Sequence, residues 1–161
     1  MLAAVLLDDS LWEKVPEVRR QEWRLSIREL LDDHAFSVEA TPLVLRLGFS
    51  DEAVSLKWEV PGDSTVADVR IERAQLSRHL EEYVRLCREM MALPEGGAAV
   101  KLPALDKAKK EAHDAAATLL QELNDAVRPS HDTARRMFTL LVTLLVDTTS
   151  LSVLKRPHQE G

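Results

Sequence analysis

Leu43-Val44-Leu45-Arg46-Leu47-Gly48-Phe49 is followed by Val54-Ser55-Leu56-Lys57-Trp58-Glu59-Val60 and then by Asp68-Val69-Arg70-Ile71-Glu72. Each run alternates apolar with polar or small residues. In an extended chain successive side chains point to opposite faces, so the leucines, Val54, Trp58, Val69 and Ile71 gather on one side. Arg46, Lys57, Glu59 and Arg70 gather on the other. A sheet with one packed face and one wet face is the mark of antiparallel pairing. Ser50-Asp51-Glu52 and Pro61-Gly62-Asp63-Ser64 supply turn chemistry between the runs. The stretch reads as a three-strand meander.

Upstream, Leu2 to Leu7 is a short apolar run that reads as a buried strand, ended by Asp8-Asp9-Ser10. Pro16 can open a helix, because its missing N–H would be unpaired there anyway. Trp23, Ile27, Leu30 and Leu31 give Pro16–His34 a helical stripe, with Glu17 in the first turn where the helix dipole favours an acid.

Downstream the period changes from two to 3.6. Leu76, Leu80, Tyr83, Val84, Cys87, Met90 and Met91 form one stripe, broken by Pro94, Gly96 and Gly97. Leu105, Ala108, Ala112, Ala115, Leu119 and Leu123 form a second, in an Ala-rich helix expected to end at Arg128-Pro129. A last helix, capped by Ser130 or Asp132, carries Ala134, Met137, Phe138, Leu141, Leu144 and Leu145. It is apolar on most sides, so it belongs at the centre of the fold or in a dimer interface.

The order β-α-β-β-β-α-α-α predicts an α+β fold: a small, mostly antiparallel sheet covered on one face by about four helices. The reading places one domain at 1–146 and a C-terminal tail at 147–161, expected to be flexible. The chain has 161 residues, 45% of them hydrophobic and 30% charged, which suits a core that needs neither disulfide nor metal. The formal net charge of −6 disfavours nonspecific binding to a phosphate backbone. Aromatic residues at 4% leave few platforms for stacking single-stranded bases.

The longest apolar stretch, Met137 to Val146, is far shorter than the ~20 residues of a spanning helix. Met1 to Asp9 lacks the basic start of a signal peptide. With a single cysteine, Cys87, no intrachain disulfide is available. These features point to the cytoplasm. Cys87 sits at a core spacing, which favours a small buried hydrophobe; a reactive thiol would need exposure and a lowered pKa.

No catalytic spacing stands out. His34, His79, His113, His131 and His158 form no paired ligand pattern, so no metal or other cofactor is implied. Gly96-Gly97 follows a helix and lacks the context of a phosphate loop. There is no GxSxG or Cys–His pairing. Asp8-Asp9, Asp32-Asp33 and Glu81-Glu82 read as solvated charges.

Two basic groups remain. Arg20, Arg24 and Arg28 are spaced four apart and share one helix face. That face reads first as solvated, with nucleic acid as the weaker alternative. His131-Asp132-Thr133-Ala134-Arg135-Arg136 opens the last helix. Free N–H groups there suit an anion, while two arginines in the second turn do not help the dipole. Either the arginines pair with acids elsewhere in the fold, or Asp132, Arg135 and Arg136 mark a site for a small anion or an acidic partner.

Four stretches resemble a bacterial family known as uncharacterised protein family 0262. They are Val5-Leu6-Leu7-Asp8 with Pro16-Glu17-Val18-Arg19; Leu30-Leu31-Asp32-Asp33-His34-Ala35-Phe36; Leu76-Ser77-Arg78 through Tyr83 with Leu86-Cys87; and Asp132-Thr133-Ala134-Arg135-Arg136-Met137-Phe138-Thr139-Leu140-Leu141. The chain departs from the family at Met90-Met91, where the family tends to be aromatic, and in continuing past Val146. The resemblance implies a bacterial origin and one domain, and carries no established activity. The expected function is therefore a non-enzymatic cytoplasmic interaction or regulatory domain with an unidentified protein partner, as a homodimer through the last helix or otherwise. A small-anion-binding domain or enzyme is the alternative.

Overall fold

The computed structural model describes residues 1–37, 42–61, 65–94 and 98–146. The three alternating runs become β2 (Leu43–Phe49), β3 (Ala53–Glu59) and β4 (Thr65–Glu72), paired antiparallel in sequence order. Ser50 N donates to the Ala53 carbonyl at 2.9 Å, and Ser50 Oγ accepts from the Ala53 and Glu52 N–H groups, which closes the first turn. The turn expected at Pro61–Ser64 lies largely outside the described residues, as do Gly96-Gly97, His158 and the tail from 147.

β1 (Leu2–Leu7) adds to β2 in parallel, giving a four-stranded sheet of order β1-β2-β3-β4. A register shift between Leu2 and Ala4 carries Leu2, Val5 and Leu7 all into buried positions despite their odd spacing. Parallel neighbours need a long crossover, supplied here by α1 (Asp9–Glu13) and α2 (Glu17–Asp32). The short α1 was not expected. Asp8, which reads in sequence as a strand terminator, caps it by accepting from Ser10 N.

Two further helices and a last one follow: α3 (Arg73–Met91), α4 (Ala98–Glu122) and α5 (His131–Leu145). α5 takes the centre. Ala134, Met137, Phe138, Leu140, Leu141, Val142 and Leu144 are all buried. Met137, Leu140 and Leu141 close against Leu45, Leu47 and Leu56 of the sheet around a void of only about 10 Å³. α2 and α4 flank it. Trp23 Nε1 donates to the Thr143 carbonyl at 2.8 Å, and Arg19 Nη2 reaches the Thr143, Leu144 and Val146 carbonyls at 3.4–3.5 Å. Those carbonyls are the ones a helix end leaves without intrahelical donors. The apolar surface that raised the prospect of a dimer through α5 is covered within one chain.

Two sequence expectations are corrected. α4 buries Ala116, Ala117 and Leu120, while Ala115 is exposed. The predicted stripe through Leu105, Ala108, Ala112, Ala115, Leu119 and Leu123 is rotated by about one residue, because alanines on several sides leave the phase of the helix weakly determined. α4 also stops at Glu122 rather than at Arg128-Pro129. Asn124 Oδ1 accepts from Ala126 N at 2.7 Å, a local bond that competes with helix continuation. Pro129 instead forms a bridge with Phe36.

Candidate functional site

Ser130 caps α5: its Oγ accepts from Thr133 N. Asp132 stands exposed in the first turn. One turn further, Arg135 and Arg136 point in different directions. Arg135 pairs with Asp114 of α4, and Arg136 Nη2 donates to Asp33 Oδ2, just past the end of α2, at 3.0 Å. Asp132, Arg135 and Arg136 are neighbours, but the structure brings each arginine to its own carboxylate.

Asp114 is shared. His131 Nε2 lies 3.1 Å from Asp114 Oδ1, and His131 Nδ1 lies 3.2 Å from Gln121 Oε1, two turns further along α4. The hydrogen bond from His131, with Arg135 adding to it, holds the Asp114 carboxyl below the usual aspartate range. His113, the next residue, turns inward. Its Nε2–H donates to the Arg135 carbonyl at 2.9 Å, and Thr139 Oγ1 donates to the same oxygen at 3.1 Å.

Below these lies an aromatic cluster. Tyr83, His113 and Phe138 have ring centroids 5.5–5.7 Å apart, with Lys109 Nζ 5.5 Å from the Tyr83 ring centre. Burial pushes the Tyr83 phenol up to about 12, helped by Cys87, and pushes the His113 imidazole down. Burial also raises the Cys87 thiol. Each shift favours the neutral form. A raised thiol and a raised phenol are poor nucleophiles at neutral pH. Cys87 is buried and free, so it is placed as a packing residue.

His34 is likewise built into the fold. Its Nδ1–H donates to the Leu30 carbonyl and its Nε2 accepts from Leu2 N, both at 2.9 Å. Among the described residues no group of three or more His, Cys, Asp or Glu is placed to hold a metal ion. No helix among them is long and apolar enough to cross a membrane.

Of the first basic stripe, Arg20 Nε donates to the Trp12 carbonyl at 2.8 Å, with Glu17 at 3.6 Å. Arg24 pairs with Glu17 at 3.1 Å and lies 5.7 Å from the Trp12 ring centre. Arg28 is exposed. Two of the three arginines thus serve to dock α1 against α2.

A feature the sequence did not advertise lies on α3. Leu80, Val84 and Ala92, with Val146 from the end of α5, line a groove of about 580 Å³. Glu81, Arg85, Arg88 and Glu89 form its rim. Arg85 is bound to Glu82 and Glu89. The volume is typical of ligand pockets, and both signs of charge border an apolar floor.

A two-layer α+β fold, with each arginine of the last helix's second turn paired to its own carboxylate and an apolar groove beside its central helix, is the class defined by this geometry. The chain belongs to the uncharacterised protein family UPF0262, whose model matches residues 1–147. Its relatives are bacterial. The UPF0262 protein of Azorhizobium caulinodans is 29% identical, over 89% of this chain and 92% of the relative. Those of Phenylobacterium zucineum and Agrobacterium fabrum are 27% and 24% identical, each over 89% of this chain and 91% and 93% of the relative. No solved structure matches the chain significantly. The family carries no known activity, and the function of this chain is unknown.

Proposed function

We propose that the protein is a non-enzymatic cytoplasmic interaction or regulatory domain, and that the α3 groove receives an amphipathic helix from a partner protein. The observation that carries this reading is the groove itself. Leu80 and Val84 of α3 and its C-cap Ala92 lie at multiples of four residues, so the floor presents one helical ridge to an incoming apolar stripe. The mixed rim of Glu81, Arg85, Arg88 and Glu89 can set the direction of the partner by charge.

The anion-site alternative has less support. A small anion at the start of α5 must displace Asp114 from Arg135 or Asp33 from Arg136, and both arginines are about one-third exposed or less. Binding of nucleic acid through Arg20, Arg24 and Arg28 meets a similar objection at the first two, which Glu17 already contacts.

The test is to purify a bacterial partner on the immobilised chain, reconstitute the pair from pure components and titrate by calorimetry. The Ala92→Arg substitution is expected to weaken the reconstituted complex at least ~10-fold, a loss of about 1.4 kcal/mol, with an unchanged melting temperature. A complex indifferent to Ala92→Arg and Arg85→Glu rejects the groove. Stabilisation of the free protein by phosphate or nucleotides, lost in Arg135→Ala, restores the anion alternative; a saturating ligand at 100 times its Kd adds ~2.7 kcal/mol.

A further inference from the structure

The outer edge of β4 is the last strand edge of the sheet, and its hydrogen-bonding direction follows from the register. Ser50 N donates to Ala53 O, so residues 50 and 53 form a bonded pair. Bonded and non-bonded pairs alternate along an antiparallel ladder. In β3, residues 53, 55, 57 and 59 therefore bond toward β2, and Val54, Leu56 and Trp58 bond toward β4. Their partners there are Ile71, Val69 and Ala67. The bond from Arg73 N to the Glu52 carbonyl continues the same phase. Asp68, Arg70 and Glu72 consequently direct their backbone N–H and C=O groups away from the sheet.

Asp68 and Arg70 also share the polar face of the sheet. Both are exposed, whereas Val69 between them is half-buried on the inner face. Laid antiparallel against a second β4 with Val69 on the two-fold axis, the strand matches itself. Asp68 then falls opposite Arg70 of the other copy, and Arg70 opposite its Asp68. These are bonded pairs, so each exchanges both backbone hydrogen bonds. On the inner face Val69 meets Val69, and Ala67 meets Ile71. Shifting the axis by one residue sets Asp68 against Asp68 or Arg70 against Arg70, so charge selects one register.

A groove of about 410 Å³ runs beside this edge, between Asp68, Val69 and Arg70 and the turn residues Leu123, Asn124 and Ala126. Asn124 Nδ2 is buried there with no hydrogen-bond partner among the described residues. A strand laid along β4 brings carbonyl acceptors into the groove that Asn124 lines. Arg70 already contacts Glu72 at 3.0 Å and Glu52 at 3.6 Å, both across exposed surface. No ion pair of Asp68 is found among the described residues. On the opposite edge, Leu2 N is already held by His34.

We infer that a second copy of this chain docks on the β4 edge, antiparallel and centred on Val69, to make one eight-stranded sheet across a two-fold axis. The inference is independent of the α3 groove.

The test is light scattering across a concentration series, with native hydrogen exchange on the same samples. The intact chain is expected to move from 18.1 kDa toward twice that mass. The amides of Asp68 and Arg70 should become protected as concentration rises. Asp68→Arg or Arg70→Asp alone turns two symmetry-related pairs repulsive and should weaken association by about tenfold or more. The double exchange Asp68→Arg with Arg70→Asp should restore it, an outcome that loss of folding in a single variant cannot mimic. A monomer at ~100 µM, well above the micromolar range of a specific complex, overturns the inference. So does a dimer whose affinity ignores both single exchanges. A chain that stays monomeric but takes an extended foreign peptide along β4 overturns the second copy as occupant.

Discussion

Replacing Thr133 with valine isolates one hydroxyl that ties the start of α5 to the connection after α2. Thr133 is 1% exposed. Its Oγ1 accepts from Ala35 N at 2.7 Å and faces Ser130 Oγ at 2.9 Å. Valine keeps the volume and the β-branch but removes the hydroxyl, so Thr133→Val is not a neutral swap. The Ser130 hydroxyl can turn to water and still accept from the backbone N–H of residue 133, which leaves the cap in place. The Ala35 N–H has no such escape while Ser130 N to Ala35 O and Ser37 N to Arg128 O, both 2.8 Å, hold the strand-like bridge around Phe36 and Pro129. Stranding a partly buried donor costs ~1–3 kcal/mol, and the lost bond at Ser130 adds a little, so about 2 kcal/mol is expected. For a chain of this size that corresponds to a fall of ~4–8 °C in Tm. Thr133→Ser keeps the acceptor and loses one buried methyl, about 1 kcal/mol. Thermal and urea unfolding followed by circular dichroism should rank wild type above Thr133→Ser above Thr133→Val. If Thr133→Val is as stable as wild type, or more stable than Thr133→Ser, the bridge is not held by this hydroxyl.

Three further outcomes are expected. Tyr83 is the only tyrosine, so spectrophotometric titration should show no phenolate in the native protein near 10.0 and a midpoint of about 12, returning to about 10.0 in denaturant. Because the folded value is raised, the neutral phenol stabilises the fold below 10.0, and that contribution is lost as pH climbs from 10.0 toward 12; Tyr83→Phe should flatten this alkaline decline. Asp114 has the opposite sign. Its folded value is lowered, so its contribution is complete above 3.8 and lost as pH falls through and below that value; acid unfolding monitored by fluorescence should be shallower in Asp114→Asn. Phe138→Ala removes a fully buried ring that meets Tyr83 edge-on at 88°, at a cost of ~3–5 kcal/mol by urea denaturation, and a value under 1 kcal/mol would place Phe138 outside the core.

The meander was legible because its period is unambiguous: Leu43, Leu45 and Leu47 alternate with side chains that could not be buried, and a one-residue slip would expose the whole set. α5 was legible for the opposite reason, since it is apolar on too many sides to lie at the surface. α4 was not, because alanine is acceptable on either face and the helix phase was fixed by His113 and Asp114 reaching across to α5. The short α1 carries no apolar period: Asp8 caps it, and Trp12 docks it through the Trp23 ring and the Arg20 and Arg24 side chains of α2. At the candidate site, Asp132, Arg135 and Arg136 were visible as an oddity of charge. Asp114 and Asp33 were not visible as their partners, being 21 and 103 residues away. The α3 groove had no signal of its own, because Leu80 and Val84 read as ordinary core positions and Val146 comes from the far end of the chain, just past α5.

The placement of Arg135 and Arg136 becomes intelligible once their partners are known. Cations near a helix N-terminus oppose the dipole, yet each reaches an acid on a different helix. Arg135 fastens α5 to α4, and Arg136 fastens it to the segment beyond α2. Arg19 and Trp23 perform the corresponding task at the other end of α5, binding its last carbonyls to α2. The most buried helix is thus anchored at both ends by side-chain bonds to its neighbours, while its apolar flanks fill the space between sheet and helices. Little freedom is left at the centre for a binding event to exploit. The surfaces proposed for recognition, the α3 groove and the β4 edge, both lie outside this frame.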